Sequence, residues 1–545
     1  MQLDAPASEI RLFAKGPLEV ADASHKSLPL HVQNPPVRFL SWVKADEIVK
    51  TAAFPAEERI WRTFCDFYRS QHAADWLWAN RDESKDVDPS RGSALLPGDI
   101  ETLVEVHFAT KVGPLNKLPP GCVVNCFVFT VLELIKGRRR IIAWPRATNV
   151  AERRLLDLFK AIHCVTPFPV VETLRNRVLY KYAAHVDLTK FFQQFELLTR
   201  RRFCFAHDGY AYELSTIPTG AVSPPILAQI LLRACVSLAI RDSGTANVVV
   251  FDTMIDNARL CSDDWDALSA AWSRLMGLLN ELGSTVGDSL PPAESEGRYE
   301  FLGIAFDHIS RTVAVSSKFA AKLERATSLL KEPRDFVVAD ILSIFGATVW
   351  AAQVLGRPLA ELYGIFKFIR RVSKDLANGG KLLETRKVWP CITSLWIDWM
   401  TGAAQAATEI VAPDGTLPRL IAFSDASDTG WGAIVFDGDR ISVLAGDWSD
   451  AERKLHINQK EFLTIKKMLL TFSCDPAPEP RPMDLYVDNT TAQSWGNKKN
   501  PSGYVPAQLT LDIECLKVRS NIVIQQIHYV KSIANPSDLP SRIQW

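Results

Sequence analysis

Four acidic side chains near the end of the chain stand in a pattern that few folds can accommodate. An apolar strand ends on Asp425, and the Asp-Gly pair beyond it predicts a hairpin turn, because this pair accepts positive φ. A helix with an apolar stripe then places Glu461 in its first turn. A further strand ends on Asp488, and Asp538 stands at the last predicted helix. Taken singly, each carboxylate is most simply a surface residue, so the order of all four carries the argument.

The residues around these carboxylates form four short phrases. They are Ser-Asp-Ala-Ser-x-x-Gly-Trp-Gly at 424–432, Asn-x-x-Glu-Phe at 458–462, Val-Asp-Asn-Thr-Thr at 487–491 and Asn-x-x-Asp-x-x-Ser-Arg at 535–542. In this order they resemble the ribonuclease H domains of retroelements. The resemblance implies a mixed five-stranded sheet with helices. It also implies that two metal ions are held by four catalytic carboxylates: Asp425, Glu461, Asp488 and Asp538.

A second acidic pattern lies in the middle of the chain. The run 185–195 predicts a strand that delivers Asp187, followed by a turn rich in aromatic residues. An unpaired buried carboxylate is very costly, so a divalent cation is a natural partner for Asp187, although a solvated turn residue is the simpler alternative. The loop at 217–225 leads into a helical pattern with Gln229. An apolar strand at 247–251 then leads to a polar turn with Asp256 at its tip.

Residues 134–306 resemble the fingers and palm of retroelement reverse transcriptases in the order of these features. The resemblance implies that Asp187 and Asp256 hold two metal ions. It assigns six residues to nucleotide or template binding: Lys136, Arg140, Arg146, Phe192, Gly220 and Gln229. The element type closest in wording is the LTR/DIRS-like, tyrosine-recombinase or pararetroviral one.

The basic run at 135–146 has two interpretations. A charge run is usually a solvated face. In the resemblance Arg140 grips the triphosphate with Lys136 as a helper, and Arg146 braces the template, because guanidinium makes bidentate contacts with phosphate. Phe192 corresponds to the aromatic ring that packs against the 2′ carbon of the nucleotide. The alternative is that Phe192 belongs to the core and that a neighbouring ring faces the nucleotide.

The turn at Asp256 departs from the family pattern. The family usually has two adjacent aspartates, and here the second position is Asn257, while the preceding aromatic is replaced by Met254. Two hypotheses follow. The first is a working RNA-directed DNA polymerase with ribonuclease H activity that copies retroelement RNA into DNA. The second is a domesticated or decayed derivative whose polymerase fold only binds nucleic acid or a partner, with the nuclease retained or not.

The cofactor and partners follow from the same resemblance. Carboxylates suit Mg²⁺, a hard cation that prefers oxygen ligands, and Mn²⁺ is the alternative. Two ions are expected at each active site. The expected partners are an RNA template, a DNA primer, the RNA·DNA hybrid and deoxynucleoside triphosphates. The oligomeric state is left open.

The length of the chain predicts several domains, because 545 residues exceed what one hydrophobic core accommodates. The expected class is α/β, of α+β character. It comprises an N-terminal extension of unknown role at 1–100, fingers and palm at 101–310, thumb and connection at 311–415, and ribonuclease H at 416–545. Aromatic residues at helical spacing within 55–80 indicate core, with a stacking platform for bases as the alternative.

Composition limits how the protein can bind nucleic acid and in which compartment it is expected. The 62 basic and 62 acidic residues give no net charge, so nucleic-acid binding must rest on local basic clusters. No uncharged apolar run reaches the roughly 18 residues of a membrane-spanning helix, so none is expected. The N-terminus lacks the pattern of a secretory signal. The ten cysteines are scattered, and only Cys122 and Cys126 lie close in sequence, which indicates free thiols inside the cell, in the cytoplasm or nucleus.

Overall fold

The computed structural model describes residues 28–31, 39–133, 138–162, 169–294, 297–410 and 418–542. These residues form two compact units, and the chain passes from one to the other between Leu302 and Gly303. Each unit mixes helices and strands around a core of its own. Lys136 lies outside the described residues, so its predicted role in triphosphate binding stays a prediction.

The N-terminal unit is built on a long apolar helix surrounded by short sheets. Its helices are α1 (Trp42–Ala52), α2 (Pro55–Arg69), α3 (Gln71–Ala79), α4 (Asp99–Glu105), α5 (Thr148–Ile162), α6 (Val171–Asn176), α7 (Pro224–Asp242) and α8 (Trp265–Leu282). Its strands are β1 (Leu30–His31), β2 (Ala109–Pro114), β3 (Phe127–Glu133), β4 (Arg138–Trp144), β5 (Tyr182–Leu188), β6 (Cys204–His207), β7 (Tyr210–Leu214), β8 (Val250–Met254), β9 (Asn257–Ser262), β10 (Val286–Leu290) and β11 (Arg298–Phe301). They form sheets of order β1-β4-β3, β2-β7-β6 and β10-β5-β9-β8.

Helix α7 is the centre of this unit because it is apolar on nearly all sides, as a fully buried helix must be. Pro224 and Pro225 open it, where their missing amide hydrogens are not needed. Leu227, Ile230 and Leu231 are completely buried in the core.

Residues 39–105 belong to this same core. Helices α1 and α2 pack against α7, and the side chains of Trp61 and Phe64 are buried there. The aromatic residues of α2 are thus mainly core, as their spacing predicts. The boundary expected after residue 100 stays a prediction, and residues on both sides of it contribute to one core. The sequence could not show this, because the packing joins residues far apart along the chain.

The C-terminal unit contains a group of helices and a larger mixed sheet. Its helices are α9 (Ser317–Lys331), α10 (Val338–Leu355), α11 (Tyr363–Ala377), α12 (Pro390–Gln405), α13 (Asp450–Arg453), α14 (Ile457–Phe472), α15 (Thr490–Lys498), α16 (Tyr504–Ser520) and α17 (Asp538–Arg542). Its strands are β12 (Ile304–Asp307), β13 (Thr312–Val315), β14 (Phe336–Val337), β15 (Thr385–Arg386), β16 (Ala407–Glu409), β17 (Leu420–Ala426), β18 (Gly430–Asp437), β19 (Arg440–Asp447), β20 (Arg481–Val487), β21 (Ile522–Val523) and β22 (Ile527–Tyr529).

The larger sheet positions the acidic residues. Strands β19, β18 and β17 are antiparallel, and the predicted Asp-Gly hairpin is confirmed, since Asp437 pairs with Arg440 and Gly438 has a φ of 58°. Strand β20 runs parallel to β17. Strands β21 and β22 both pair in parallel with β20, one after the other, and so form one interrupted edge strand. Alternate residues of β17, β18 and β20 pack with the apolar stripe of α14.

The boundary expected after residue 415 also stays a prediction, and residues on either side of it are in contact. The segment before α11 contacts α16, and the amide of Ala360 donates a hydrogen bond of 3.1 Å to the carbonyl of Lys499. The rings of Tyr363 and Tyr504 are 6.1 Å apart. The residues before position 415 therefore contact residues after it, and spacing in the sequence does not indicate these contacts.

Two helices of the described chain, α7 and α10, are long and apolar enough to cross a membrane by length and composition alone. In α7, 78% of the apolar window is buried inside the protein, and in α10 50% is. Buried core helices pass the same test.

Candidate active sites

Three carboxylates of the C-terminal unit converge at one edge of the mixed sheet. Asp425 lies on β17, Glu461 in α14, and Asp488 directly after β20. One ligand oxygen from each lies within 4.8 Å of the others. The convergence follows from the topology, because adjacent parallel strands end at the same edge of a sheet, and α14 packs against β17.

Asn489 fixes Asp488 relative to α14, and sequence analysis missed it. Its side-chain oxygen accepts hydrogen bonds from the amides of Thr491 and Ala492, so it caps helix α15. Its side-chain nitrogen donates to Oδ1 of Asn458, at 3.0 Å, in the first turn of α14. An Asn before Thr-Thr at a strand end is a recognisable cap, but its second contact depends on the fold.

Burial and the nearby negative charges raise the pKa values of two carboxyl groups in this cluster. Burial raises the pKa of Asp425 to about 6, in part offset by the hydroxyl of Ser541, and the charges of Asp488 and Asp538 raise it further. Burial, then the charges of Asp425 and Asp488, raise the pKa of Glu461 to about 9. Without a cation, these carboxylates are therefore not all ionised near neutral pH.

The oxygens of the cluster fit a divalent cation. Oε2 of Glu461 and Oδ1 of Asp488 are buried and have no hydrogen-bond partner among the residues that the structure describes. Buried polar atoms are normally satisfied, so such a pair calls for a ligand. Carboxylate oxygens are the ligands that Mg²⁺ prefers. The three residues are therefore suited to hold a hard cation.

Asp538, the fourth predicted carboxylate, stands apart from the close group of three. It is the first residue of α17, and its Oδ1 accepts hydrogen bonds from the guanidinium of Arg542, at 2.6 and 3.0 Å. Helix α17 reaches the cluster through Ser541, whose hydroxyl donates to Oδ2 of Asp425 at 2.5 Å. Gly432 lets the helix approach, since a Cβ there would lie 2.6 Å from the amide nitrogen of Ser541.

The central sheet of the N-terminal unit brings the other predicted acids together. Strands β5 and β9 are antiparallel with Asp187 opposite Asn257, and the amide of Leu188 donates to the carbonyl of Asp256 at 2.8 Å. The side-chain amide of Asn257 donates to Oδ1 of Asp256, at 2.9 Å. The three polar side chains are half-buried at one end of the sheet.

The turn between β8 and β9 is strained. Ile255 has a φ of 61°, which is an outlier for a β-branched residue. Gln229 holds the turn: its Oε1 accepts from the amide of Ile255 at 2.6 Å, and its Nε2 donates to Thr253. Gln229 is only 2% exposed, so it lies behind the turn. The predicted role of Gln229 in nucleotide binding stays a prediction; what the structure shows is its support of the turn, through contacts that sequence spacing does not reveal.

Of the three aromatic residues after Asp187, only Phe192 is partly exposed. Phe191 and Phe195 are 1% and 0% exposed and pack edge to face with ring centres 5.3 Å apart. The burial of these two rings favours Phe192 as the ring that faces a nucleotide, and this role stays a prediction. Phe192 packs against the edge of the core with its remaining surface exposed.

The structure separates the three consecutive arginines of β4. Arg139 is 5% exposed and makes a bidentate ion pair with Asp99, at 2.6 and 2.7 Å. Because side chains alternate along a strand, Arg138 and Arg140 share the opposite, more exposed face. Burial and then the charge of Arg138 lower the pKa of Lys190, so these two cations lie near each other. Sequence analysis did not single out Arg138 or Lys190.

Arg146 and Gly220 flank the same strand. Arg146 is exposed, and its guanidinium lies 5.5 Å from the ring centre of Trp144. The amide of Gly220 donates to the carbonyl of Ala143 at 2.8 Å, and a Cβ on Gly220 would lie 2.7 Å from that oxygen. The role of Gly220 in the structure is this close approach of its loop to β4.

Glu152, which sequence analysis missed, clamps the same loop. It is fully buried, and its Oε2 accepts hydrogen bonds from the amides of Val222 and Ser223, at 3.1 and 2.8 Å. Burial raises the pKa of this carboxyl, and the two amide donors partly offset the shift.

No family model matches the chain, and no curated protein matches it. Solved structures of foamy viral proteins are similar to it at 14% identity. The protease-reverse transcriptase dRH in complex with double-stranded DNA has a TM-score of 0.44, with 92% of this chain and 84% of that chain covered. The protease-reverse transcriptase with an RNA/DNA hybrid has a TM-score of 0.42, with 94% and 66% covered. The same protein with double-stranded DNA has a TM-score of 0.40, with 92% and 99% covered.

Proposed function

We propose that the chain is an RNA-directed DNA polymerase with ribonuclease H activity, from a retroelement of LTR/DIRS-like, tyrosine-recombinase or pararetroviral type. In this proposal the N-terminal unit supplies fingers and palm, and the C-terminal unit supplies thumb, connection and nuclease. The observation that carries it is the cluster of Asp425, Glu461 and Asp488, in which two buried oxygens have no hydrogen-bond partner within the described part of the chain. The setting proposed is intracellular, in the cytoplasm or nucleus.

The nuclease chemistry would take place at this cluster. Asp425, Glu461 and Asp488 would hold Mg²⁺ or Mn²⁺, with Asp538 as a fourth ligand once it leaves Arg542. When bound, the metal pair supplies an activated water and stabilises the leaving oxygen. Ser541 orients Asp425 through its 2.5 Å hydrogen bond, and Asn489 holds Asp488 next to α14. RNA would be distinguished from DNA by its 2′-hydroxyl.

The polymerase chemistry would take place where β5 meets the strained turn. Asp187 and Asp256 would hold the metal ions, and the primer 3′-hydroxyl would attack the α-phosphate of the nucleotide. Arg140, with Arg138 on the same face of β4 and Lys190 beside it, would bind the triphosphate. Gln229 keeps the turn in its strained conformation.

Two assays on the full-length protein test the proposal and separate it from the decayed-enzyme alternative. The first is primer extension on an RNA template with deoxynucleoside triphosphates and Mg²⁺ or Mn²⁺. The second is cleavage of labelled RNA within an RNA·DNA hybrid. Activity in both supports the proposal. Cleavage without extension favours the alternative, for which Asn257 is the motivating residue, and activity in neither overturns the proposal.

Replacement of Phe192 by alanine is expected to admit ribonucleotides. A ring against the 2′ carbon leaves no room for a 2′-hydroxyl, so its removal relaxes a steric exclusion. The ratio of ribonucleotide to deoxynucleotide incorporation efficiency should rise on the order of tenfold or more. Single-nucleotide extension with each substrate measures this ratio. Phe192→Tyr, which keeps a ring, should leave it near the wild-type value, and an unchanged ratio in Phe192→Ala would show that Phe192 is not the gate.

A further inference from the structure

Two segments of the N-terminal unit that are distant in sequence are joined around Cys204. The amides of Asn125 and Cys126 both donate to the carbonyl of Cys204, at 3.0 and 2.9 Å. The amide of Cys204 donates to the carbonyl of Val123, at 3.3 Å. Backbone hydrogen bonds therefore fix the residues after Cys122 against the first residue of β6.

This pairing brings two thiols together. The sulfur atoms of Cys122 and Cys204 are 3.7 Å apart, although the residues are 82 positions apart in sequence. A disulfide has a sulfur separation of about 2.05 Å, so the two sulfur atoms would have to approach each other by roughly 1.6 Å to form one. Cys204 is completely buried, whereas Cys122 is half-buried and so within reach of a small molecule.

The surroundings give the two thiols different chemistry. The hydrogen bond with Cys204 lowers the pKa of Cys122 to about 7; burial opposes this shift, and the nearby Arg201 and Arg202 favour it. The same hydrogen bond and burial raise the pKa of Cys204 well above its ordinary value. The thiolate is the reactive form of cysteine, so Cys122 is the nucleophile of the pair. Burial also raises the pKa of the neighbouring Cys126, which makes it unreactive.

We propose that Cys122 and Cys204 form a redox site, at which a small hydroperoxide converts the pair reversibly into an intramolecular disulfide. The Cys122 sulfur attacks the peroxide oxygen, the O–O bond breaks, and a sulfenic acid forms while the other oxygen leaves as water or an alcohol. The Cys204 sulfur then attacks the Cys122 sulfur, and its proton leaves with the hydroxyl as water. The sulfurs are oxidised and the peroxide is reduced. A dithiol reductant restores the pair.

The test uses the full-length protein and does not depend on its polymerase or nuclease activity. Reduced protein, freed of reductant, is treated with hydrogen peroxide, and remaining thiols are blocked under denaturing conditions before digestion and mass spectrometry. The expected result is an intact mass lower by two hydrogens, one cross-linked peptide pair containing Cys122 and Cys204, and full reversal by dithiothreitol. The thermal unfolding midpoint should rise on oxidation, because the link closes a long loop.

Three serine variants sharpen the result. Cys204→Ser should stop at a Cys122 sulfenic acid that dimedone traps, and Cys122→Ser should leave Cys204 reduced. Cys126→Ser, the matched control beside the pair, should still form the link. The proposal is overturned by a Cys122–Cys126 link or by oxidation of Cys122 without a link in the wild type. It is also overturned if Cys122 reacts no faster than the exposed Cys391, Cys474 and Cys515. The wild-type peptide map alone decides the matter if a variant does not fold.

Discussion

Cleavage of RNA in an RNA·DNA hybrid is expected to fall by about three orders of magnitude or more when Asp425 is replaced by asparagine, because a metal-binding carboxylate supplies several kcal/mol of transition-state stabilisation. A carboxylate oxygen of Asp425 lies within 4.8 Å of oxygens of Glu461 and Asp488, and Ser541 orients the Asp425 side chain. Asparagine has nearly the same shape but no charge, so it removes the ligand while the fold stays intact. The measurement is the initial rate of cleavage at saturating Mg²⁺.

Asp428→Asn is the matched control for this variant. Asp428 lies on the loop that follows β17, only three residues from Asp425, but its side chain is fully exposed, and its contact with Lys460 is a distant 3.8 Å. Its replacement should leave cleavage near the wild-type rate. Circular dichroism and thermal unfolding establish that both variants are folded. Undiminished cleavage by folded Asp425→Asn protein would refute the nuclease assignment.

Extension of a primer on an RNA template is expected to be lost in Asp187→Ala, with a similar loss of rate, because Asp187 and Asp256 supply the carboxylates of the proposed polymerase site. Asn257→Asp should be tolerated or should raise activity in Mg²⁺. It adds negative charge where the cations bind, although it replaces the hydrogen bond that Asn257 donates to Asp256. Extension by each purified variant, in Mg²⁺ and in Mn²⁺, measures both effects.

Cleavage of the RNA·DNA hybrid by the same purified variants is the internal control. Asp187 and Asn257 belong to the N-terminal unit, whereas the nuclease carboxylates belong to the C-terminal unit. Hybrid cleavage should therefore persist in both. If the wild type extends no primer with any divalent metal, and Asn257→Asp does not restore extension, the chain is a decayed polymerase.

The sequence predicts best those features that depend on local chemistry. The Asp-Gly hairpin and the strand ends at Asp425 and Asp488 are governed by turn geometry and by the alternation of apolar residues. These rules act within a few residues. The proposed role of Phe192 rests on its position after Asp187 and stays a prediction; of the rings at 191, 192 and 195, it is the one that is partly exposed.

The sequence predicts poorly what depends on distant partners. Three arginines in a row do not reveal which one is buried, because the answer depends on Asp99, 40 residues away. Gln229 contacts the turn between β8 and β9, and Gly220 contacts β4. Both contacts join residues that are distant in sequence, so the sequence does not reveal them. The approach of Ser541 to Asp425 depends on where α17 docks, whereas the ion pair of Asp538 with Arg542 is local to that helix.

The burial and the crowding of Asp425, Glu461 and Asp488 have a consequence for the stability of the metal-free protein. The pKa of Glu461 rises from its ordinary 4.5 to about 9 on folding, so between these values the folded state retains a proton that the unfolded chain releases. Unfolding is then favoured as the pH rises. The stabilisation from this proton is complete below pH 4.5, the pKa in the unfolded chain, and it is lost as the pH rises to about 9, the pKa in the folded state. Asp425 adds a smaller effect between 3.8 and about 6.

In a chelator, the thermal unfolding midpoint of the C-terminal unit should therefore decrease as the pH rises towards 9, the folded-state pKa of Glu461. Glu461→Gln should flatten this dependence, and Mg²⁺ should reverse it, because a ligand that binds only the folded state stabilises it. A midpoint that rises with pH in the chelator would contradict the expectation. The carboxylates proposed to bind the metal ions thus destabilise the metal-free fold as the pH rises, and a bound cation would offset this effect.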